Sequence, residues 1–223
     1  VWQTTPRPLF LEQMLKNGSD VNYADRNGNT LLMYASGYEP QKYGFLPGKG
    51  NYSSADYAKL FLRYDADVSQ QNKEGWTALD YAVQLDDDMA AMNLLLSYGA
   101  EVTPVVLSHA LDFEGAYTHY QRIHKLVALL DSSQTSTILT PIFDAAIRGD
   151  NATVQELATK TDLSEAERLQ TLCHAVAFCN ADTVRLLLAD GFGTIQTIDA
   201  ADNTLLQIAA MQNNTDVMNF LLK

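Results

Sequence analysis

The stretch NKEGWTALDYA, residues 72–82, decides the fold. Gly75 stands where a turn would be made, and the run TALDYA begins directly after the turn, at Thr77. Leu79 and Ala82 are three residues apart, so they share one face of an α-helix. The stretch therefore predicts a turn followed by a short helix that packs on its neighbours through Leu79 and Ala82.

The pattern of TALDYA recurs along the chain. The other copies are TLLMYA at 30–35, TPIFDA at 140–145, TLLQIA at 204–209 and the weaker VVLSHA at 105–110 and TLCHA at 171–175. In each copy an alanine follows an apolar residue by three positions; the apolar residues are Leu32, Leu79, Leu107, Ile142, Leu172 and Leu206, and the alanines are Ala35, Ala82, Ala110, Ala145, Ala175 and Ala209. Six short, closely packed helices are predicted.

A second apolar helix is predicted after each copy. These segments lie at 58–68, 89–102, 123–131, 152–160, 182–192 and 215–223. An earlier segment of the same kind, at 9–22, has no convincing first helix before it. The sequence thus predicts a repeat of helix pairs, entered partway through its first unit.

These residues resemble the ankyrin-repeat family, whose repeat of about 33 residues carries the helix start T-P-L-H-x-A after a turn. TPIFDA, TALDYA and the tails YGAEVT and NGSDVN are the matching pieces. The resemblance implies an all-α solenoid of paired antiparallel helices, joined by turns or short β-hairpin fingers, in a single domain over 1–223. The predicted units are a partial repeat at 1–24 and repeats at about 25–71, 72–102, 103–135, 136–164, 165–198 and 199–223.

One repeat holds an insertion. Leu32 and Leu79 are 47 residues apart, which exceeds the family period by roughly fourteen residues. The extra residues lie within 37–57, whose two prolines and four glycines predict a loop. Its large side chains are Tyr38, Tyr43, Phe45, Leu46, Tyr52 and Tyr57. They either bury themselves as a local cluster or stay exposed as contact residues, because tyrosine anchors are favoured in interfaces.

The resemblance also implies a function, that of a protein-protein interaction scaffold whose partner lies in the concave groove of turn tips and first helices. The family's variable contact positions fall on Arg26, Asn27, Asn29 and Tyr38 in one repeat, on Lys73, Glu74, Trp76 and Gln84 in the next, and on Ala200, Ala201, Asn203 and Met211 in the last. The first two sets share the end of the stack that carries the insertion. We therefore expect the site there, with Tyr43 and Phe45 added to it.

Composition narrows the possible partners. The chain has 223 residues, 47% of them hydrophobic, and a formal net charge of -12, which predicts a soluble, folded, acidic protein. Nucleic acid is disfavoured, because its binders concentrate Lys and Arg on one face. The longest apolar runs are too short for membrane insertion. The charge also favours a second hypothesis, an acidic inhibitor or immunity-like protein that captures a basic toxin or enzyme. A monomer is expected, with a dimer through an end repeat as the alternative.

No catalytic residue, cofactor or metal ligand is predicted, and the chain is not expected to be an enzyme. The competing interpretation is a metal-dependent or catalytic protein. It would use the block 109–124, where His109, His119 and His124 accompany Asp112 and Glu114. Their spacing matches no recognised ligand motif, so surface or capping histidines are expected. No glycine-rich phosphate loop or nucleophile elbow is present in the sequence.

Cysteine usage bears on the compartment. Cys173 and Cys179 are the only cysteines and lie six apart in or just after one predicted helix. Side chains so placed do not face each other closely enough to bridge easily, so both are expected to be small buried apolar residues. This favours a reducing, cytoplasmic compartment. The sequence begins at Val1. The alternative is therefore that a leader or a further domain was removed, and a removed leader would make this a trimmed secreted protein.

Overall fold

The computed structural model describes residues 7–37, 53–84, 89–111, 119–160 and 162–223. In these ranges the regular structure is helical, apart from two isolated β-bridges, one between Ala24 and Thr30 and the other between Ile198 and Thr204. The predicted all-α class is confirmed. Among the described helices, none is both long enough and apolar enough to cross a membrane.

The chain forms two compact units, Val1–Glu101 and Val102–Lys223. The helices of the first unit are α1 (Arg7–Lys16), α2 (Leu31–Ala35), α3 (Ser54–Leu62), α4 (Ala78–Ala82) and α5 (Ala90–Ser97). α2 packs on α3 and α4 on α5, which gives two helix pairs. Across the pairs, α2 contacts α4 and α3 contacts both α1 and α5. First helices therefore stack on first helices and second helices on second helices.

The second unit repeats this arrangement. Its helices are α6 (Pro104–Leu111), α7 (His119–Leu129), α8 (Ser132–Thr135), α9 (Pro141–Ile147), α10 (Asn151–Lys160), α11 (Glu165–Phe178), α12 (Ala181–Ala189), α13 (Leu205–Met211) and α14 (Thr215–Leu221). The pairs are α6 with α7, α9 with α10, α11 with α12 and α13 with α14. α9, α11 and α13 form one row of contacting first helices, and α10, α12 and α14 form a row of second helices.

Threonine starts several first helices because their first backbone N–H groups lack partners within the helix. Thr30 and Thr140 accept a hydrogen bond from the N–H three residues on. At Thr77 the reverse contact dominates, since Oδ2 of Asp80 accepts from both the N–H and the hydroxyl of Thr77, each at 2.7 Å. Leu79 and Ala82 lie in the core of the unit, as the opening stretch predicts.

Two helix registers differ from the sequence prediction. α11 begins at Glu165, well before the TLCHA copy at 171–175, because Ser164 and Glu167 form a capping box that starts the helix earlier. Thr171 is therefore an interior residue, whose hydroxyl donates to the Glu167 carbonyl. In α13 the fully buried leucine is Leu205, while Leu206 is only half-buried.

The predicted loop at 37–57 is too long at its C-terminal end. Ser53 caps α3 through the N–H and carboxylate of Asp56, so the helix begins at Ser54. Tyr57 is 2% exposed and belongs to the core rather than to a contact surface. The rest of the insertion, 38–52, lies outside the described residues.

Candidate partner-binding surfaces

Three turns that precede first helices share one hydrogen-bond geometry. In each, Oδ1 of the first residue accepts from the backbone N–H groups two and four residues on. The donors are Asn27 and Asn29 to Asp25 at 2.8 Å, Glu74 and Trp76 to Asn72 at 2.9 Å, and Ala201 and Asn203 to Asp199 at 2.9 and 2.8 Å. We call the turns at 25–30, 72–77 and 199–204 fingers; each is closed by its own first side chain.

The fourth residue of every finger takes a left-handed backbone conformation, which glycine adopts without penalty. Its φ is +85° at Gly28, +82° at Gly75 and +62° at Asp202. The same residue donates its N–H to the carbonyl of the first finger residue, at 3.0 to 3.1 Å. The finger geometry thus tolerates an aspartate at this position when the surrounding space allows it.

The first two fingers are joined directly in the first unit. The N–H of Lys73 donates to the carbonyl of Asn27 at 2.9 Å, and the amide of Asn72 donates to Oδ1 of Asn29, also at 2.9 Å. A Cβ added to Gly28 would lie only 3.0 Å from the Cα of Asn72. These contacts fix the tips of the two fingers relative to each other.

The structure corrects one predicted contact residue. Asn29 is only 2% exposed, and its side chain forms part of the junction between the fingers. It cannot face a partner while this junction is intact. The reason is the neighbouring finger, since the buried side-chain amide of Asn72 donates to Oδ1 of Asn29.

The other predicted residues of these two repeats are distributed around the fingers. Arg26, Asn27, Lys73 and Glu74 are exposed at the tips, and Gln84 is half-buried just after α4. Trp76 is half-buried, and its ring centroid lies 5.0 Å from that of Tyr81. Tyr38, Tyr43 and Phe45 lie outside the described residues.

The second unit contains a concave surface whose floor was not predicted. A groove of about 590 Å³ follows α11, α13 and the finger at 199–204, and an adjoining hollow of about 320 Å³ lies between α6, α9 and α11. The two share Leu111, Gln170, His174 and Phe178. We call this continuous depression the unit 2 groove. The residues predicted for the last repeat, Ala200, Ala201, Asn203 and Met211, all line it.

Gln170, His174 and Phe178 are spaced by four residues and form one face of α11. This spacing was present in the sequence, but TLCHA suggested a helix start at Thr171 and concealed the longer helix. His174 lies between two aromatic rings, with centroid distances of 5.0 Å to Phe143 and 6.3 Å to Phe178. Burial lowers the pKa of His174, so its imidazole is neutral at pH 7.

The charged residues that line the unit 2 groove are acidic within the described part of the chain. They are Glu167, at the edge of the hollow, and Asp199, in the finger. Hydrogen bonds from Ser164 lower the pKa of Glu167. Burial acts to raise the pKa of Asp199, but hydrogen bonds from Asn203 and Ala201 outweigh it and leave the pKa below its usual value. Both carboxylates are therefore ionised at pH 7.

Arg168 is directed away from this acidic lining. Its Nε donates to the Leu163 carbonyl at 3.2 Å, and its guanidinium lies 5.3 Å from the ring centroid of Phe192. The positive charge is held by a carbonyl and an aromatic face. The groove therefore keeps its negative character.

One histidine of the block 109–124, His124, makes a structural contact. Nε2–H of His124 donates to the carbonyl of Phe178, the last residue of α11, and so caps the C-terminus of that helix. Burial lowers the pKa of His124. Asp112, Glu114 and the side chain of His119 lie outside the described part of the structure. In the described part of the chain, no three His, Cys, Asp or Glu side chains are grouped as metal ligands would be.

Both cysteines are free thiols; Cys179 is buried, as expected, whereas Cys173 is only half-buried. Burial raises the pKa of both, and the nearby Asp199 carboxylate adds to the effect at Cys173. Cys173 contributes its surface to the unit 2 groove. Protonated thiols of this kind act as small apolar groups.

Solved structures similar to this chain include ankyrin-repeat domains. The human ASB11 ankyrin repeat domain is 22% identical, with coverage of 97% of this chain and 92% of that one and a TM-score of 0.48. The ankyrin repeat domain of Bcl-3, a member of the IkappaB protein family, is 18% identical, with coverages of 97% and 77% and a TM-score of 0.46. No curated protein matches the sequence.

A chain from another solved structure also matches, that of the Bd0816 predatory endopeptidase from Bdellovibrio bacteriovorus in complex with immunity protein Bd3460. It is 18% identical, with coverages of 95% and 89% and a TM-score of 0.34. The family is established by a different comparison. The model of the family described as ankyrin repeats (3 copies) matches residues 7–105 and 129–223, which is most of the chain. Together with the stacked helix pairs and fingers, this match shows that the chain belongs to the ankyrin-repeat family.

Proposed function

We propose that this chain is a protein-binding scaffold whose partner lies against the first two fingers. Ankyrin-repeat domains generally serve as interaction scaffolds. The observation that carries the proposal is the junction between the fingers, since Lys73 N–H donates to the Asn27 carbonyl and Asn72 to Asn29. A surface whose backbone is already fixed loses little conformational entropy when a partner binds.

The proposed contact set keeps the exposed tips and the adjoining aromatic residues. Arg26 and Lys73 supply positive charge, and Glu74 supplies a negative charge beside them. Trp76 adds a large apolar ring at the base of its finger, tilted at 43° to the ring of Tyr81. Asn27, Gln84, Tyr38, Tyr43 and Phe45 complete the set from the sequence, while Asn29 is omitted because it is buried.

Affinity capture from the native source is the first step of the test, with wild type compared against a variant in which 38–52 is replaced by a Gly/Ser linker. The replacement must stop before Ser53, which caps α3. A partner that binds wild type and is lost with the linker variant supports the proposal. Trp76→Ala should then weaken binding by about 2–4 kcal/mol, as truncation of a central aromatic anchor does.

Tyr98→Ala is the matched control for this titration, because Tyr98 is an exposed aromatic residue of the first unit at the C-terminal end of α5. Urea unfolding of Trp76→Ala separates lost affinity from lost stability. The double variant Arg26→Ala/Lys73→Ala tests the tips without touching the core. Unchanged affinity in both finger variants places the site elsewhere.

A second candidate is an acidic inhibitor or immunity-like protein that captures a basic toxin or enzyme. The formal net charge of -12 favours it, because opposite charges speed diffusional encounter. Association with a basic partner should slow steeply as salt rises, since the Debye length falls to about 8 Å at 0.15 M. Stopped-flow association rates that do not change with salt contradict this candidate.

A further inference from the structure

We infer that the unit 2 groove is a second docking surface, which takes a protein segment that combines apolar side chains with Lys or Arg. This surface lies on α6, α9, α11, α13 and the finger at 199–204, and none of its residues belongs to the finger site proposed above. The inference shares with the proposed function only the class of partner, a protein.

The groove offers apolar surface at the positions where a partner would enter. Met211 is 39% exposed although it ends α13 beside the groove, and Ala200 and Ala201 expose the outer side of the finger. Phe178 and Ile208 add apolar area deeper in the depression. Side chains of Leu or Phe size from a partner would remove this surface from water, which is the main favourable term in association.

Charge selects among apolar partners. Among the described residues, the lining contains the carboxylates of Glu167 and Asp199 and no Lys or Arg. The guanidinium of Arg168, in the helix that forms the floor, is held against Phe192. Cationic residues beside the apolar anchors of a partner therefore find a complementary field, while acidic residues are repelled.

His174 provides a polar group in the floor. No described residue forms a hydrogen bond with its imidazole, which lies between Phe143 and Phe178 and lines both parts of the groove. A neutral imidazole both donates and accepts. It can therefore form a hydrogen bond with a backbone or side-chain group of the docked segment, which would orient the segment on the floor of the groove.

The test uses three fluorescein-labelled helical peptides of about five turns. All three share one leucine face, and the remaining positions are Lys in the first, Glu in the second and Gln in the third. Fluorescence anisotropy with the full chain should show binding of the Lys peptide, weaker binding of the Gln peptide and the weakest binding of the Glu peptide. Binding of the Glu peptide as tight as that of the Lys peptide overturns the inference.

The groove is then given positive charge with Gln170→Lys/Met211→Lys. The control is Gln155→Lys/Asn219→Lys, which adds the same charge at exposed positions on α10 and α14. The groove variant should lower the affinity for the Lys peptide by about tenfold or more, and the control variant should lower it by much less. Equal weakening in the two variants means that the peptide is held only by the net charge of the chain, and overturns the inference.

Two further measurements distinguish the groove from the fingers and from an interface between two copies of the chain. Trp76→Ala should leave the affinity for the peptide unchanged. If Trp76→Ala lowers this affinity and the groove variant does not, the peptide binds to the fingers. The inference then fails, while the proposed function stands. Sedimentation equilibrium of the chain alone reports self-association. A dimer that Gln170→Lys/Met211→Lys dissociates identifies a second copy as the occupant, and this outcome also overturns the inference.

Discussion

The side-chain amide of Asn72 donates a hydrogen bond to Oδ1 of Asn29, 2.9 Å away and 43 residues earlier in the sequence, and so joins two fingers. The same amide also donates to the hydroxyl of Tyr81 at 2.8 Å. Both asparagines are buried. Because buried polar groups are costly to leave unpaired, this contact is a sensitive point of the first unit.

Replacement of Asn72 should therefore cost stability in proportion to the partners it leaves unpaired. Asn72→Ala removes the acceptor of two backbone N–H groups and both donors, and should lower the free energy of unfolding by about 2–3 kcal/mol. Asn72→Asp keeps the acceptor, and the hydroxyl of Tyr81 can turn to donate to it as Tyr34 does to Asp25 at 2.8 Å. The cost should then be about 1 kcal/mol.

Urea denaturation of the two variants tests this difference. Asp25 shows that a carboxylate can close a finger in this chain, because its Oδ1 accepts from the N–H groups of Asn27 and Asn29. Equal losses in the two variants would show that the link to Asn29, rather than closure of the finger, controls stability.

Gly28 and Gly75 occupy the same position in successive fingers, yet their surroundings differ. A Cβ on Gly28 would meet the Cα of Asn72 at 3.0 Å, whereas a Cβ on Gly75 would find open space. Gly75→Asp should be tolerated, because Asp202 adopts this conformation in the third finger. Gly28→Asp should lower the free energy of unfolding by about 1–3 kcal/mol more than Gly75→Asp, since backbone must move.

Thermal and urea unfolding of this matched pair separates the two effects. Left-handed strain is common to both variants, so the difference between them reports the contact with the neighbouring finger. Equal stability of the two variants would mean that the fingers can move apart without cost.

Asp144 forms a largely enclosed ion pair, with Arg148 Nε 3.0 Å from Oδ2 and the Thr135 hydroxyl 2.7 Å from Oδ1. Burial acts to raise the pKa of Asp144, but hydrogen bonds from Arg148 and Thr135 outweigh it and hold the pKa below its usual value. Asp144→Asn should lower the free energy of unfolding at pH 7 by about 1–3 kcal/mol, a range limited by the partial exposure of Arg148.

The pH dependence of this effect follows from the lowered pKa. A carboxylate with a depressed folded-state pKa stabilises the fold above its unfolded pKa of about 3.9, and loses that contribution as pH falls through the folded pKa. The stability gap between wild type and Asp144→Asn should therefore be constant from neutral pH down to about pH 5 and should shrink below about pH 4. Glu156→Gln, in the exposed pair with Lys160, is the control and should have a much smaller effect.

His174 should make the free energy of unfolding depend on pH in a different range from Asp144. Its folded-state pKa is lowered by burial, so below about pH 6.5 the unfolded chain binds a proton that the folded chain does not. Stability should fall as pH decreases from about 7 to 5.5, and His174→Phe should make this decline shallower. Urea midpoints measured at both pH values test this; an unchanged pH dependence in the variant would mean that the pKa of His174 is the same in the folded and the unfolded chain.

The sequence predicted the helices well and the partners of their polar residues poorly. Thr77, Leu79 and Ala82 could be assigned from local pattern, because helix starts and buried faces depend on neighbours within one turn. Asn29 looked like an exposed contact position, but its partner Asn72 is far along the chain. The start of α11 depends on whether Ser164 or Thr171 caps the helix. A start at Thr171 hides the longer helix, in which Gln170, His174 and Phe178 lie on one face.

The sequence by itself determined the family and the repeated helix pairs, since periodic apolar residues and finger motifs encode structure that forms within one repeat. Only the tertiary structure decided which polar residues the stack would bury and where it would leave a concave surface. Asn29 is covered because a second finger packs on it, and the unit 2 groove exists because α9, α11 and α13 lie side by side. Both outcomes depend on residues from different repeats, whose distances no local pattern specifies.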